Sequence, residues 1–261
     1  MKYSSAFLVI LFIGISFKVF SQKTVQAKDI MKDIAAGKDI NLDNVSIEGA
    51  LDFTFMEKTL NELPSKKRSW WNKSGDNKIT YRIEANIHFT NCTFTDDVLA
   101  YIPDSEGSGY TFVADFEKKA FFNNCTFERK AMFKYTKFQE NSSFENTDFQ
   151  DDSSFKYTVF KQSTNFENSN FENEATFKYT NFSNFVSFTK AIFKESATFK
   201  YTKFKDGVSF KETQFEEDLN IKYTEVYGKF DVSGMRVAYD IDAKYTKING
   251  KSFSKYLIQK N

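Results

Sequence analysis

The chain has 261 residues, with 36 basic against 35 acidic side chains and one histidine. A balance so close to zero excludes a polyanionic mimic of nucleic acid and a bulk polycation that would bind one. Thirty-two phenylalanines stand against two prolines, and that much aromatic mass needs an interior to fill.

In chain order, residues 1–21 read as a secretory signal peptide. Lys2 supplies the positive start, Ala6 to Ile15 (AFLVILFIGI) the apolar core, and Val19 and Ser21 the −3 and −1 positions before Gln22. The apolar run is short for a membrane span, and Lys18 interrupts its extension. Loss of Lys2 and Lys18 with this leader leaves 34 basic and 35 acidic residues, a net charge of −1. No membrane span is expected after cleavage, and the product is expected in the periplasm, at the cell surface or secreted. Residues 22–36 then suggest a capping helix, read over 24–36, with Ala27, Ile30, Met31 and Ile34 on one side and Gly37 as its stop. The stretch 37–53 reads as a first extended coil.

Residues 56–86 break that rhythm and read as an insertion, with turn signals at Pro64 and Gly75. A second insertion falls at 97–115, where VLAY and YTFVA flank Pro-Asp-Ser-Glu-Gly-Ser-Gly, the pattern of a hairpin or protruding loop. From Phe122 to Phe215 a phenylalanine recurs every five or six residues in strict alternation. Two five-plus-six units make a 22-residue repeat, marked by Phe-Lys-Tyr-Thr at 133–136, 155–158, 177–180 and 199–202. Such a period signals a solenoid. The residue two before each Phe is small nearly every time, with Val186 and Val208 the largest exceptions: Ala131, Thr136, Ser142, Thr147, Ser153 and Thr158 begin the series. Residues two apart share one side of an extended segment, so Phe and its small partner fill one interior together.

This pattern resembles the pentapeptide-repeat family over about 89–226. The resemblance implies a right-handed, roughly four-sided parallel β-helix with a narrow, side-chain-filled interior. The chain departs from the family by an extra residue on alternate sides, as at Asn141, Asp152, Ser163 and Glu174, which read as wider corners. Residues 37–226 are thus expected to be an all-β solenoid. Residues 227–261 keep the rhythm with Val232, Val237, Ala243 and Ile248, behind large partners at Phe230, Met235 and Ile241. They read as terminal coils and a C-terminal cap, or as the contact of a homodimer through that end.

Four features could carry chemistry. Cys92 and Cys125 sit in the near-identical words FTNCTF and FNNCTF, at inward positions one coil apart. They could form a disulfide after export, or serve as two small buried residues whose parallel side chains do not meet. Lys134, Lys156, Lys178, Lys200 and Lys222 should line one edge, with Tyr135, Tyr157, Tyr179, Tyr201 and Tyr223 beside them. That edge reads as a linear site for an acidic polymer, or as a solvated face whose Tyr rings stack on one another. Trp70 and Trp71, near Lys66, Lys67 and Arg68, could contact a ligand or pack their insertion onto the wall. His88 lies at an outward position and reads as a surface residue. No nucleophile elbow, phosphate loop or metal-ligand set is visible, so neither enzyme activity nor a cofactor is expected. The expected function is an exported interaction or structural module for an unknown protein or polysaccharide, the alternative a polysaccharide-binding, less readily polysaccharide-cleaving, β-helix. The DNA-like surfaces of some pentapeptide-repeat proteins, and hence a nucleic-acid-related role, fit neither the leader nor the charge.

Overall fold

The structure is a computed structural model and describes residues 22–60, 77–103 and 110–254. Its chain winds as a right-handed parallel β-helix with four flat walls. Wall 1 opens with Ile40–Asp43 and continues through Ile87–Thr90, Ala120–Asn123 and Ser142–Ser143. Wall 2 includes Val45–Glu48, Thr126–Phe127 and Asp148–Phe149; wall 3 includes Ala131–Met132 and Ser153–Ser154; wall 4 includes Lys137–Phe138 and Val159–Phe160. The chain visits them in that order, so wall 1 faces wall 3's side of the core and wall 2 faces wall 4. Pairing along each wall is parallel and in register, with Phe138 opposite Phe160 and Phe160 opposite Phe182.

The register follows from what each side buries. Phe133, Phe138, Phe144, Phe149 and their successors to Phe204 are all within 1% of complete burial. Rings stack up each wall: Phe155 lies 4.9 Å from Phe177, and Phe149 lies 4.7 Å from Phe171, both nearly parallel. Across the core they meet edge to face, as Phe155 and Phe166 do at 5.3 Å and 83°. Offset and edge-to-face pairs are the arrangements the ring quadrupole favours. The small inward partners do more than make room. Thr158 donates its hydroxyl to the Phe133 carbonyl of the preceding coil at 2.6 Å, and Thr180 and Thr202 repeat this with Phe155 and Phe177. A buried hydroxyl is thereby satisfied while it ties two coils together.

The corners alternate because the sides do. Walls 1 and 3 take five residues and end in a tight turn, closed for example by Thr158 N–H donating to Phe155 O at 3.1 Å. Its third residue has positive φ: Asn124, Asn146 and Asn168 after wall 1, and Tyr135, Tyr157 and Tyr179 after wall 3. Walls 2 and 4 take the sixth residue and turn more widely, where Asp152, Ser163 and Glu174 stand.

Both ends differ in part from the sequence reading. Helix α1 (Ala27–Ala35) buries Ala27, Ile30 and Ile34 over the first coil, and Gly37 at φ +73° stops it. Its expected first residues instead form a strand, Lys23–Gln26, paired with Val45–Glu48. β-branched Thr24 and Val25 suit that strand. The insertion read over 56–86 gives a short helix α2 (Met56–Leu60), but Lys78–Ile83 belongs to wall 4 and pairs along its whole length with Thr111–Phe116. The insertion read over 97–115 is likewise narrower: Val98–Leu99 lies in wall 3, and a hairpin pairs Tyr101–Ile102 with Phe112–Val113. Phe89 accordingly pairs with Phe122, so the register closes once the hairpin is looped out. Past Val226 the coils continue, and inner volume shifts from one position to the other. Met235 and Ile241 are buried where small residues sat before, while Val232, Val237 and Ala243 replace phenylalanine. Lys247–Ile248 then folds back antiparallel on Lys251–Ser252, and the Phe253 ring closes edge-on against Phe230 at 5.5 Å.

One buried charge is out of keeping with this interior. Asp115 is 5% exposed and accepts the Lys137 backbone N–H at 2.9 Å. Burial raises its pKa, outweighing that hydrogen bond and the Lys137 charge. A carboxyl that holds its proton more tightly when folded destabilises the fold at neutral pH, and the loss disappears as pH falls through its raised pKa. Asp115→Asn keeps an acceptor for Lys137 N–H. It is therefore expected to raise the thermal midpoint near neutral pH, with the gain vanishing below about pH 4. A gain of equal size at both pH values in paired melts would show that the charge is not the cause.

Candidate functional site

The tight corner between walls 3 and 4 gathers the residues that sequence singled out. Tyr135, Tyr157, Tyr179, Tyr201, Tyr223 and Tyr245 stand above one another there. Their ring centroids are 4.9, 4.6, 4.7, 4.7 and 4.8 Å apart in turn. Tyr101 of the hairpin tops the column against Tyr135 at 5.7 Å. All six corner tyrosines have φ between 58° and 64°. This left-handed conformation is uncommon for a bulky residue and costs about 1–2 kcal/mol relative to Asn or Gly. The equivalent corner after wall 1 makes the same turn with Asn124, Asn146 and Asn168, then Lys190 and Glu212, so geometry alone does not call for Tyr. Parallel stacking on both ring faces offsets the cost.

Lys134, Lys156, Lys178, Lys200, Lys222 and Lys244 precede these tyrosines, each with its ammonium 5.0–5.9 Å from the ring of the next residue. Lys134 also donates to the Tyr101 hydroxyl at 3.1 Å. The Lys156 pKa is depressed by partial burial first, then by Lys134 and Lys178 above and below it. The Tyr201 phenol is pushed up, first by desolvation and then by Tyr223 and Tyr179, so it remains a hydrogen-bond donor.

Charges on the other corners are arranged differently. Residues 22 apart are in-register neighbours, and at several positions elsewhere they pair opposite charges. Lys194 meets Glu172 at 2.6 Å, Lys203 meets Glu225 at 3.5 Å, and Lys118 meets Glu140 at 3.7 Å. Lys190 with Glu212 and Lys137 with Asp115 follow the same rule at 3.9 Å. The lysine ladder breaks it. Among the described residues, Lys222 has Asp242 at 3.7 Å, whereas Lys156, Lys178 and Lys200 make no ion pair.

The remaining candidates separate from this edge. Trp70 and Trp71, with Lys66, Lys67 and Arg68, lie outside the described residues. Cys92 and Cys125 are both buried, with free thiols in this structure. They occupy neighbouring coils at the position that Thr147 and Ser169 fill higher up, and they do the same work: Cys125 Sγ donates to Phe89 O at 3.6 Å and to Asn123 O at 3.3 Å. The hydrogen bond with the Cys92 thiol, then burial, push the Cys125 thiol up. His88, read as a plain surface residue, is half-buried with its ring stacked on Phe121 at 4.8 Å, and its Nε2 has no partner among the described residues.

Sequence reading missed one concavity. A cavity of about 580 Å³ lies at the N-terminal end between α1, the first coil and α2, with Met31, Ala35, Ala50 and Phe55 among its walls. Nothing short of the fold brings these segments together. The Asp52 carboxylate there is engaged by Thr54, which donates both its backbone N–H and its hydroxyl. No group of metal-ligating side chains occurs among the described residues, and no helix there is long and apolar enough to cross a membrane.

Comparison with known proteins agrees with the repeat geometry. A family model described as pentapeptide repeats (9 copies) matches residues 114–159, 155–203 and 177–225. No curated protein and no solved structure matches the chain.

Proposed function

The chain is a pentapeptide-repeat protein through residues 114–225, and we propose that it is exported and acts as a rigid, non-catalytic interaction module. One observation carries this reading. Every coil presents the same outward positions to the same wall at a fixed rise, held by inter-coil bonds such as Tyr157 N–H to Lys178 O at 3.0 Å. A surface so periodic suits contact along a line, as solenoids commonly make, rather than chemistry at a point. Among the described residues, the Lys–Tyr corner is an edge of unlike character. The same reading extends to a second copy at the C-terminal end, where Tyr239 is 66% exposed.

Export and binding are tested together on the full chain expressed with its natural N-terminus. Mass spectrometry of the mature protein should find Gln22 as the first residue. Cross-linking to the material that surrounds the cell should yield a partner whose capture falls when Lys156, Lys178 and Lys200 are changed. An intact leader on a protein retained inside the cell would overturn export. Capture indifferent to that corner would overturn its role as the contact surface.

A further inference from the structure

The lysine ladder repeats one positive charge on successive coils, with Lys222 alone of its described members in an ion pair, where several other ladders set opposite charges side by side. Like charges on adjacent strands repel, and sequence alternation removes that repulsion at Glu172–Lys194, Lys190–Glu212 and Lys203–Glu225. On the Tyr corner lysine recurs without alternation from Lys134 to Lys244. The wide corner after wall 4 adds Lys161 and Lys205 along the same coils, while Lys137 and Lys203 on that wall are paired with Asp115 and Glu225. The positive field therefore runs as a stripe up one edge of a molecule with almost no net charge. Its period is the coil rise of about 4.8 Å.

The tyrosines narrow the chemistry of what could neutralise that stripe. Parallel stacking at 4.6–4.9 Å closes the ring faces from Tyr157 to Tyr223. A nucleobase or a sugar face has nothing to stack on there. Ring edges and hydroxyls remain, with Tyr157, Tyr179 and Tyr223 each a little over a third exposed. Single-stranded nucleic acid draws much of its affinity from base stacking, so this corner suits it poorly. A chain of sugars needs hydrogen-bond partners for its hydroxyls and cations for its acid groups, and the corner repeats both at every rung.

We propose that the Lys–Tyr corner binds an extended acidic polysaccharide lengthwise, with lysine ammonium groups meeting successive carboxylates and tyrosine hydroxyls bonding the sugar hydroxyls. The inference rests on the interaction-module reading and names its ligand class. Carboxylates along the edge would offset the repulsion between stacked lysines, so the ladder and the polymer stabilise each other.

The probe is polygalacturonate, titrated into the full mature protein by calorimetry, with oligogalacturonates of increasing length beside it. Neutral dextran and poly(dT) complete the set. The triple variant Lys156→Gln, Lys178→Gln, Lys200→Gln is compared with a control triple on the wall 1 side, Lys119→Gln, Lys190→Gln, Lys211→Gln, which removes the same charge. The ladder variant should bind polygalacturonate about tenfold more weakly or worse, and the control within about twofold of the parent. Affinity should rise with oligomer length, and dextran should not bind. Because repulsion is removed, the ladder variant should melt no lower than the parent, which shows that lost binding is not lost folding. Equal losses in both triples, absence of polygalacturonate binding, or tighter binding of poly(dT) would each overturn the inference. Release of shortened polymer would instead overturn the non-catalytic module reading, independently of which lysines bind.

Discussion

Phe155→Ala is expected to lower stability by about 3–5 kcal/mol, read as a fall in the urea midpoint. The residue is fully buried in the middle of the stack. Its ring lies between Phe133 at 5.3 Å and Phe177 at 4.9 Å, and meets Phe144 and Phe166 edge-on at 5.3 Å. Truncation removes burial and leaves a cavity that its neighbours, held in register by backbone bonds, cannot collapse to fill. In a nearest-neighbour stack the damage should also divide the cooperative unit at that coil. The comparison residue is Phe253, half-exposed at the closing hairpin, where Phe253→Ala should cost about 1 kcal/mol. Similar losses at both positions would mean that the interior is not the main source of stability.

Gly207→Ala should be the second large effect. Gly207 sits on the wide corner between walls 4 and 1 at φ +93°. A Cβ there would lie 2.7 Å from the Lys229 carbonyl oxygen and 3.0 Å from the Lys229 nitrogen. Both are backbone atoms of the next coil, so neither can step aside without parting the rungs. Left-handed conformation and overpacking together give an expected loss of about 2–4 kcal/mol. Gly250→Ala isolates the first contribution. Its φ is +77° with nothing within 4 Å of the added carbon, so about 1 kcal/mol is expected there. Thermal melts giving the two substitutions the same loss would contradict the close stacking of coils at Gly207.

What sequence could reveal depended on how local each signal was. The Phe spacing and its small partners lie within five or six residues, and one dry axis turns that local rhythm into an interior, so the repeat array was legible throughout. Lys78–Ile83 was not, because KITYRI carries no Phe-and-small signature and its partner Thr111–Phe116 is the returning arm of the hairpin. The left-handed Tyr and Asn corners were also hidden, since Tyr is an unexpected residue for that conformation. Lys–Tyr alignment followed from the period alone. Closed ring faces and charge alternation elsewhere became visible only once coils were set in register. The N-terminal concavity needed α1 and α2 placed on the same coil, which no periodicity encodes.

Spin labels test the stacking most directly. Glu172→Cys with Lys194→Cys places two labels on adjacent rungs of wall 2, where the native side chains touch at 2.6 Å. Glu172→Cys with Ser183→Cys places them half a coil apart, on walls 2 and 4. Cys92 and Cys125 are buried and should stay unlabelled in the folded protein. Strong dipolar broadening in the first pair and little in the second is the expected result. The reverse order, or equal spectra, would contradict a 22-residue coil wound around a phenylalanine core.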